Sequence, residues 1–198
     1  LNMQLVCLTT DNEFSLDDRF INPLLLKVSN WKYGEMAFIN DYNKETITPP
    51  QIAVITKQKA QNHAMIKSGY ISPKSTILFT DAGCVQGSQI GYIKKSREYR
   101  MLPLLIREKA LKSGFNSSDY TRIYSAIDEL GNLTQVKTDY YLDVYFKNYD
   151  KKLNEFIAHF ERPKNTIGVI VFINGEIVAI DKFPSFTYTE QIWDMLIR

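Results

Sequence analysis

Residues 81 to 92 run Asp81-Ala82-Gly83-Cys84-Val85-Gln86-Gly87-Ser88-Gln89-Ile90-Gly91-Tyr92, gathering a carboxylate, a thiol and two amides around three of the chain's 9 glycines. Glycine lets a backbone approach a ligand closely and turn its N–H groups toward an anion, while side-chain amides read hydroxyls or ring edges. A basic stretch follows at once, in which Lys94, Lys95, Arg97, Arg100, Arg107, Lys109 and Lys112 face only Glu98 and Glu108. Together these point to an anion-binding surface with Gly83, Gln86, Gly87, Gln89 and Tyr92 on the loop. Arg100 and Arg107 are its expected anion contacts, because a guanidinium fork takes two phosphate oxygens at once. The loop matches neither established glycine-rich phosphate spacing. A plain surface loop or a bulged hairpin accounts for the glycines as well, and a surface ion pair for each arginine alone.

Two residues of the loop offer reaction chemistry. Asp81 is a candidate general base, with turn stabilisation as its plain alternative; one carboxylate without an acidic neighbour makes a poor metal site. Cys84 is a candidate nucleophile, since a thiol near Lys and Arg has a lowered pKa, and His63 is the base it would need. Nothing local places His63 beside Cys84, and a buried, inert thiol is the plain reading. Cys7, Cys84, His63 and His159 form no CxxC pair and fall in no metal-ligand spacing, so neither a metal nor a cofactor is expected. Two unpaired thiols fit a reducing compartment, and the cytoplasm is the expected location.

Charge narrows the partners. The net charge is only +2, yet residues 51–112 carry +8 while the stretches before and after carry −3 each. That imbalance favours an anionic small molecule. Nucleic acid is disfavoured: the pI is about 8.4, and no helix-turn-helix, zinc-finger or RNP pattern appears. No apolar run approaches the roughly 18–20 residues that cross a bilayer, and Leu1 opens no signal-peptide pattern, so no membrane contact is expected. At 198 residues and 44% hydrophobic, the chain can bury a core without staples, and no linker divides it. A single domain over residues 1–198 is expected.

The elements that must position these groups follow from pattern. Gln4 to Leu8 reads as a strand, Ser15 to Leu26 as a helix weakened by Pro23, and Met36 to Ile39 as a strand. Pro49-Pro50 breaks the chain before the strand Ile52 to Ile55. Lys57 to Lys67 has helix formers ending at Gly69, a suitable left-handed cap, and would carry Lys59, Gln61, Asn62 and His63 on its polar face. Thr76 to Phe79 is a strand running into the loop. Met101 to Ile106, interrupted by Pro103, reads as an edge strand or strand start. Ser117 and Ser118 cap a helix from Asp119 to Leu130 that Gly131 ends. Tyr140 to Phe160 is an amphipathic helix, with Leu142, Tyr145, Tyr149, Leu153, Phe156 and Phe160 at three- and four-residue intervals. Its aromatics could stack a base, but at that spacing they read as core. Asn174-Gly175 joins two β-rich runs as a type I′ hairpin, whose first strand, apolar on both faces, is expected central and covered on each side. Thr187 and Glu190 form a capping box for a last helix bearing Trp193. The expected class is α+β: a mostly antiparallel sheet with packed helices, closing in a β-hairpin followed by a helix.

From Tyr120 onward the order of elements resembles a known family. Tyr120-Thr121-Arg122-Ile123-Tyr124-Ser125-Ala126-Ile127, the long helix, then Ile167-Gly168-Val169-Ile170-Val171-Phe172-Ile173-Asn174-Gly175-Glu176-Ile177-Val178-Ala179-Ile180-Asp181-Lys182-Phe183 and Trp193 resemble the C-terminal half of the ARG-and-rhodanese-phosphatase-superfamily-associated protein domain. Over the first half, Cys84-Val85-Gln86-Gly87 is the string nearest to a cysteine- and glycine-bearing segment of that family, with Gln86 where the family has an acid. The family is named for its company with ADP-ribosylglycohydrolases, so the resemblance implies an ADP-ribose or nucleotide context and no established reaction. The expected function is therefore a binding domain for an anionic nucleotide-type ligand, ADP-ribose-like, on the 81–92 loop and the basic segment. Two alternatives stay open: a hydrolase acting on such a ligand through Asp81 or Cys84, and a non-catalytic domain with a protein partner.

Overall fold

A computed structural model describes residues 2–12, 19–29, 35–55, 62–80, 82–87, 98–112 and 120–197. The β-rich run at the start forms β1 (Met3–Thr9). A 3-10 turn (Pro23–Leu25) leads to β2 (Lys27–Ser29), β3 (Met36–Asn40), β4 (Thr46–Thr48), β5 (Ile52–Ile55), β6 (His63–Ala64), β7 (Gly69–Ile71), β8 (Ser75–Phe79) and β9 (Gly83–Cys84). Then come β10 (Glu98–Met101), α1 (Leu104–Lys112), α2 (Tyr120–Thr134), α3 (Leu142–Ile157), the hairpin β11 (Thr166–Ile173) and β12 (Glu176–Lys182), and α4 (Phe186–Ile197). The strands pair antiparallel in sheets ordered β1-β11-β12, β10-β5-β6-β9, β2-β3-β8 and β4-β7. Among the described residues the parallel contact is one isolated bridge, Phe20 to Glu45. The chain is thus α+β with mostly antiparallel sheets, ending in strands and a helix.

The hairpin turns where the sequence requires it: Asn174 has φ 52° and Gly175 φ 87°, the two left-handed positions of a type I′ turn. β11 is central, but the expected cover on both faces is half met. Val169 and Val171 are buried on the inner face, against which α4 packs, whereas on the outer face Val6 and Ile180 are 46% and 60% exposed. Apolar residues on both faces of a strand report its place in the sheet, not the number of layers over it.

Elsewhere tertiary contacts overrule local signals. Of the helix expected over Ser15 to Leu26, residues 13–18 lie outside the described ones. From Asn22, whose side chain accepts from the Leu24 N–H at 2.8 Å, only the 3-10 turn forms before β2 pairs with β3. The helix expected over Lys57 to Lys67 also yields: residues 56–61 lie outside the described ones, and His63 and Ala64 pair with β5 on one side and β9 on the other. Gly69 and Gly131 are not left-handed caps. A Cβ at Gly69 would lie 2.2 Å from the Phe79 ring and one at Gly131 2.5 Å from the Val136 carbonyl, so close packing explains both; the left-handed residue after α2 is Gln135. Met101 closes β10, but Leu104 to Ile106 open α1, because Pro103 cannot donate to a ladder while its carbonyl accepts from the Ile106 and Arg107 N–H groups. Ser117 and Ser118 lie outside the described residues. α4 is capped not by Thr187 but by Ser185, whose Oγ accepts from the Tyr188 N–H at 3.1 Å, while Glu190 receives Arg162.

Burial gathers into two apolar clusters. One, with Leu26, Phe38, Ile52, Val169, Ile192 and Trp193, lies under the sheets and α4. The other, with Ile106, Ile123, Ile127, Leu142 and Phe146, joins α1, α2 and α3. No described helix is long and apolar enough to cross a membrane.

Candidate functional site

The loop's first half is built into the fold. Gly83 and Cys84 form β9, and Cys84, Val85 and Gln86 are at most 1% exposed. Strand pairing places His63 directly opposite Cys84, a neighbourhood that sequence spacing could not supply. The Cys84 thiol donates to the Gln86 carbonyl at 3.3 Å, and the Gln86 side-chain carbonyl accepts from the Asn62 N–H at 2.9 Å. Val85 exchanges backbone bonds with Asn62 and Leu142. Gly87 is exposed, and a Cβ there would lie 2.8 Å from the Tyr140 Cβ, so the backbone passes the segment leading into α3 where only glycine fits. Asp81, Gln89 and Tyr92 lie outside the described residues, as do Lys94, Lys95 and Arg97.

The described part of the basic segment meets carboxylates, some of its own and some contributed by distant elements. Arg100 is 2% exposed; one of its terminal nitrogens donates to Asp150 at 3.0 Å and to Glu98, and its guanidinium lies 5.2 Å from the Phe146 ring centroid. Lys112 pairs with Glu108, and Lys109 stands 4.0 Å from Glu129. Arg107 forms a bidentate pair with Asp181 of β12, one arm at 2.9 Å, and its Nε donates to the Gln51 side-chain carbonyl at 2.5 Å. Gln51 holds φ 62°, a conformation rare outside glycine, and its own carbonyl accepts from the Leu102 N–H. Neither Gln51 nor Asp181 stands out in a motif. The signal for Asp181 was its place on the inward face of a strand otherwise apolar there, because a charge in that position demands a partner.

Arg107 and Asp181 also line a cavity of about 610 Å³ at the seam of the two apolar clusters. Met3 and Leu5 of β1 and Val169 and Val171 of β11 form one wall; Leu104 and Leu105 of α1 and Leu130 of α2 a second; Tyr149, Lys152, Leu153 and Phe156 of α3 a third; Leu196 and Ile197 close it. Lys152 and Phe156 are solvent-exposed, which puts the opening beside α3. Such a hollow, mostly apolar with a few convergent polar groups, has the size and make-up of a small-molecule site. Burial pushes the neighbouring Tyr145 hydroxyl up to about 12, so it stays a neutral donor at ordinary pH. Of the expected site residues that are described, only Arg107 borders this cavity; Arg100 does not. Among the described residues no group of three His, Cys, Asp or Glu could hold a metal ion.

Residues 55–198 match the family model of the ARG and Rhodanese-Phosphatase-superfamily-associated Protein domain, and the chain belongs to that family. The match spans the β9 segment, both arginines, α1 to α3, the hairpin and α4, but not Gln51 or the β1 wall of the cavity. No curated protein and no solved structure matches the chain.

Proposed function

We propose that this member of the ARG and Rhodanese-Phosphatase-superfamily-associated Protein domain family is a binding module for a small anionic ligand, seated in the cavity between α1, α3 and the β1-β11-β12 sheet. One observation carries the reading: an apolar hollow with the Arg107–Asp181 pair in its wall. Gln51 and Asp181 account for three of the five guanidinium N–H groups of Arg107, and the others can donate to a ligand oxygen in a setting of low dielectric. The nucleotide-type, ADP-ribose-like ligand implied by the family resemblance is one candidate. The two cysteines, both free, support a reducing, cytoplasmic setting.

A thermal-shift panel of ADP-ribose, NAD, AMP, inorganic phosphate and small apolar carboxylates tests the reading on wild type and on Leu153→Trp, which fills the cavity. At least one anion should raise the wild-type melting temperature by several degrees and leave the variant unmoved, as expected of a ligand that binds only the native state. A flat panel, or a shift that persists in the variant, would overturn it and turn attention to a protein partner.

A second reading, hydrolysis, draws support from the placement of His63 opposite Cys84. It needs the thiol proton to pass to the imidazole and the sulfur to be reachable by substrate. In a Cys7→Ser background, native-state alkylation of Cys84 at the rate of a free thiol would favour it; protection down to the unfolding rate would sink it.

A further inference from the structure

We infer that the cavity selects an unbranched aliphatic monocarboxylate, a fatty-acid-like anion, over nucleotides and other polyanions; this rests on the cavity being the ligand site proposed above. Charge is the first reason. The ionised side chains on its wall are Arg107, Lys152 and Asp181, a net +1 that a single carboxylate neutralises. A diphosphate would leave surplus negative charge against apolar walls, where unpaired charge is strongly disfavoured.

The shape of the walls is the second reason. Leu5, Val171, Leu104, Leu130 and Leu196 offer branched aliphatic surface, which follows a flexible chain but gives a purine no flat face. The aromatic rings present are already engaged. Tyr149 stacks on Tyr145 with centroids 5.4 Å apart and carries the Lys152 ammonium 5.0 Å from its centroid, and Phe156 packs on Phe160 at 4.7 Å. Size is the third reason. A cavity of 150 Å³ is known to hold one benzene, so on the order of 20 non-hydrogen atoms fit here, enough for a carboxylate chain of up to about eighteen carbons. The carboxylate accepts from the Arg107 N–H groups that Gln51 and Asp181 do not use, with Lys152 as the second cation at the opening.

Calorimetric titration of the full chain with decanoate, decanol and ADP-ribose, below micellar concentrations, tests this in wild type, Leu153→Trp and Lys152→Gln. Decanoate should bind wild type about tenfold more tightly than decanol, and Leu153→Trp should abolish both. Lys152→Gln, an exposed change that spares the fold, should narrow the decanoate advantage about threefold or more and leave decanol unmoved. Should Leu153→Trp fail to show wild-type circular dichroism, Leu105→Phe fills the same cavity. Equal affinity for decanoate and decanol, or tighter binding of ADP-ribose, with either lost on filling the cavity, overturns the monocarboxylate and leaves the site standing. Binding that survives a filled cavity, or no binding of all three, overturns the site itself.

Discussion

Around β9, residue types with chemical potential are consumed by the fold: the Cys84 thiol and the Gln86 amide bond to neighbouring backbone, and the chain passes Tyr140 with no room for a side chain at Gly87. The seam cavity is the reverse. Its walls are residues of little chemical interest, yet they stop short of one another and leave about 610 Å³ beside a paired guanidinium and carboxylate. The contrast teaches that a polar motif marks a site only if its groups are not already each other's partners. An apolar stripe marks a core only if its opposite wall arrives.

The sharpest test of this contrast is the ion pair on the cavity wall. Asp181→Ala leaves Arg107 charged and largely buried, and should lower unfolding free energy by about 3–5 kcal/mol in urea titration. The double change Arg107→Met with Asp181→Leu should recover most of that stability while abolishing anion binding. Next, Gln86→Ala removes the acceptor of the buried Asn62 N–H and should cost about 1–3 kcal/mol with ligand affinity unchanged. A large loss of affinity there would instead restore the loop as the ligand site.

Adding atoms should separate the two regions by sign. Gly87→Ala forces a contact at 2.8 Å and should destabilise by roughly 1–2 kcal/mol, whereas Leu105→Phe grows into the cavity and should stabilise by about 0.5–1 kcal/mol. The smallest effect lies on α3, which joins the regions. Burial raises the Asp143 carboxyl above its usual range, and its Oδ1 is buried with no hydrogen-bond partner among the described residues. A raised acid favours the fold most when protonated, so its contribution is complete below the unfolded pKa and is lost as pH rises through the folded one. Asp143→Asn should therefore melt about 1–3 °C above wild type at pH 7, a gap that closes below about pH 4.

Local periodicity carried far where neighbours in sequence are neighbours in space. The α3 stripe and the type I′ pair at Asn174-Gly175 needed no knowledge of the rest of the chain, and the family pattern after Tyr120 was legible because it is a string of such local signals. Where the sequence reading went astray, a partner from elsewhere prevailed. His63 sat among helix formers but found two strands to pair with, and Gly69 answers to the Phe79 ring. The basic run at 94–112 looked like a surface waiting for an anion. Where described, Arg100, Arg107 and Lys109 meet Asp150, Asp181 and Glu129, contributed by α3, β12 and α2, while Lys112 meets Glu108 of its own helix.

The sequence alone therefore determined the class of the fold, the hairpin, the long helix, the family and the abundance of cation in the middle third. Only the tertiary structure decided that His63 faces Cys84, that Arg107 meets Asp181 across 74 positions, and that a hollow lies between the two cores. The physical reason is that propensity and periodicity act over a turn or two of chain. Pairing of distant charges and the gap between packed walls depend on how whole elements meet, and no short stretch of sequence encodes that.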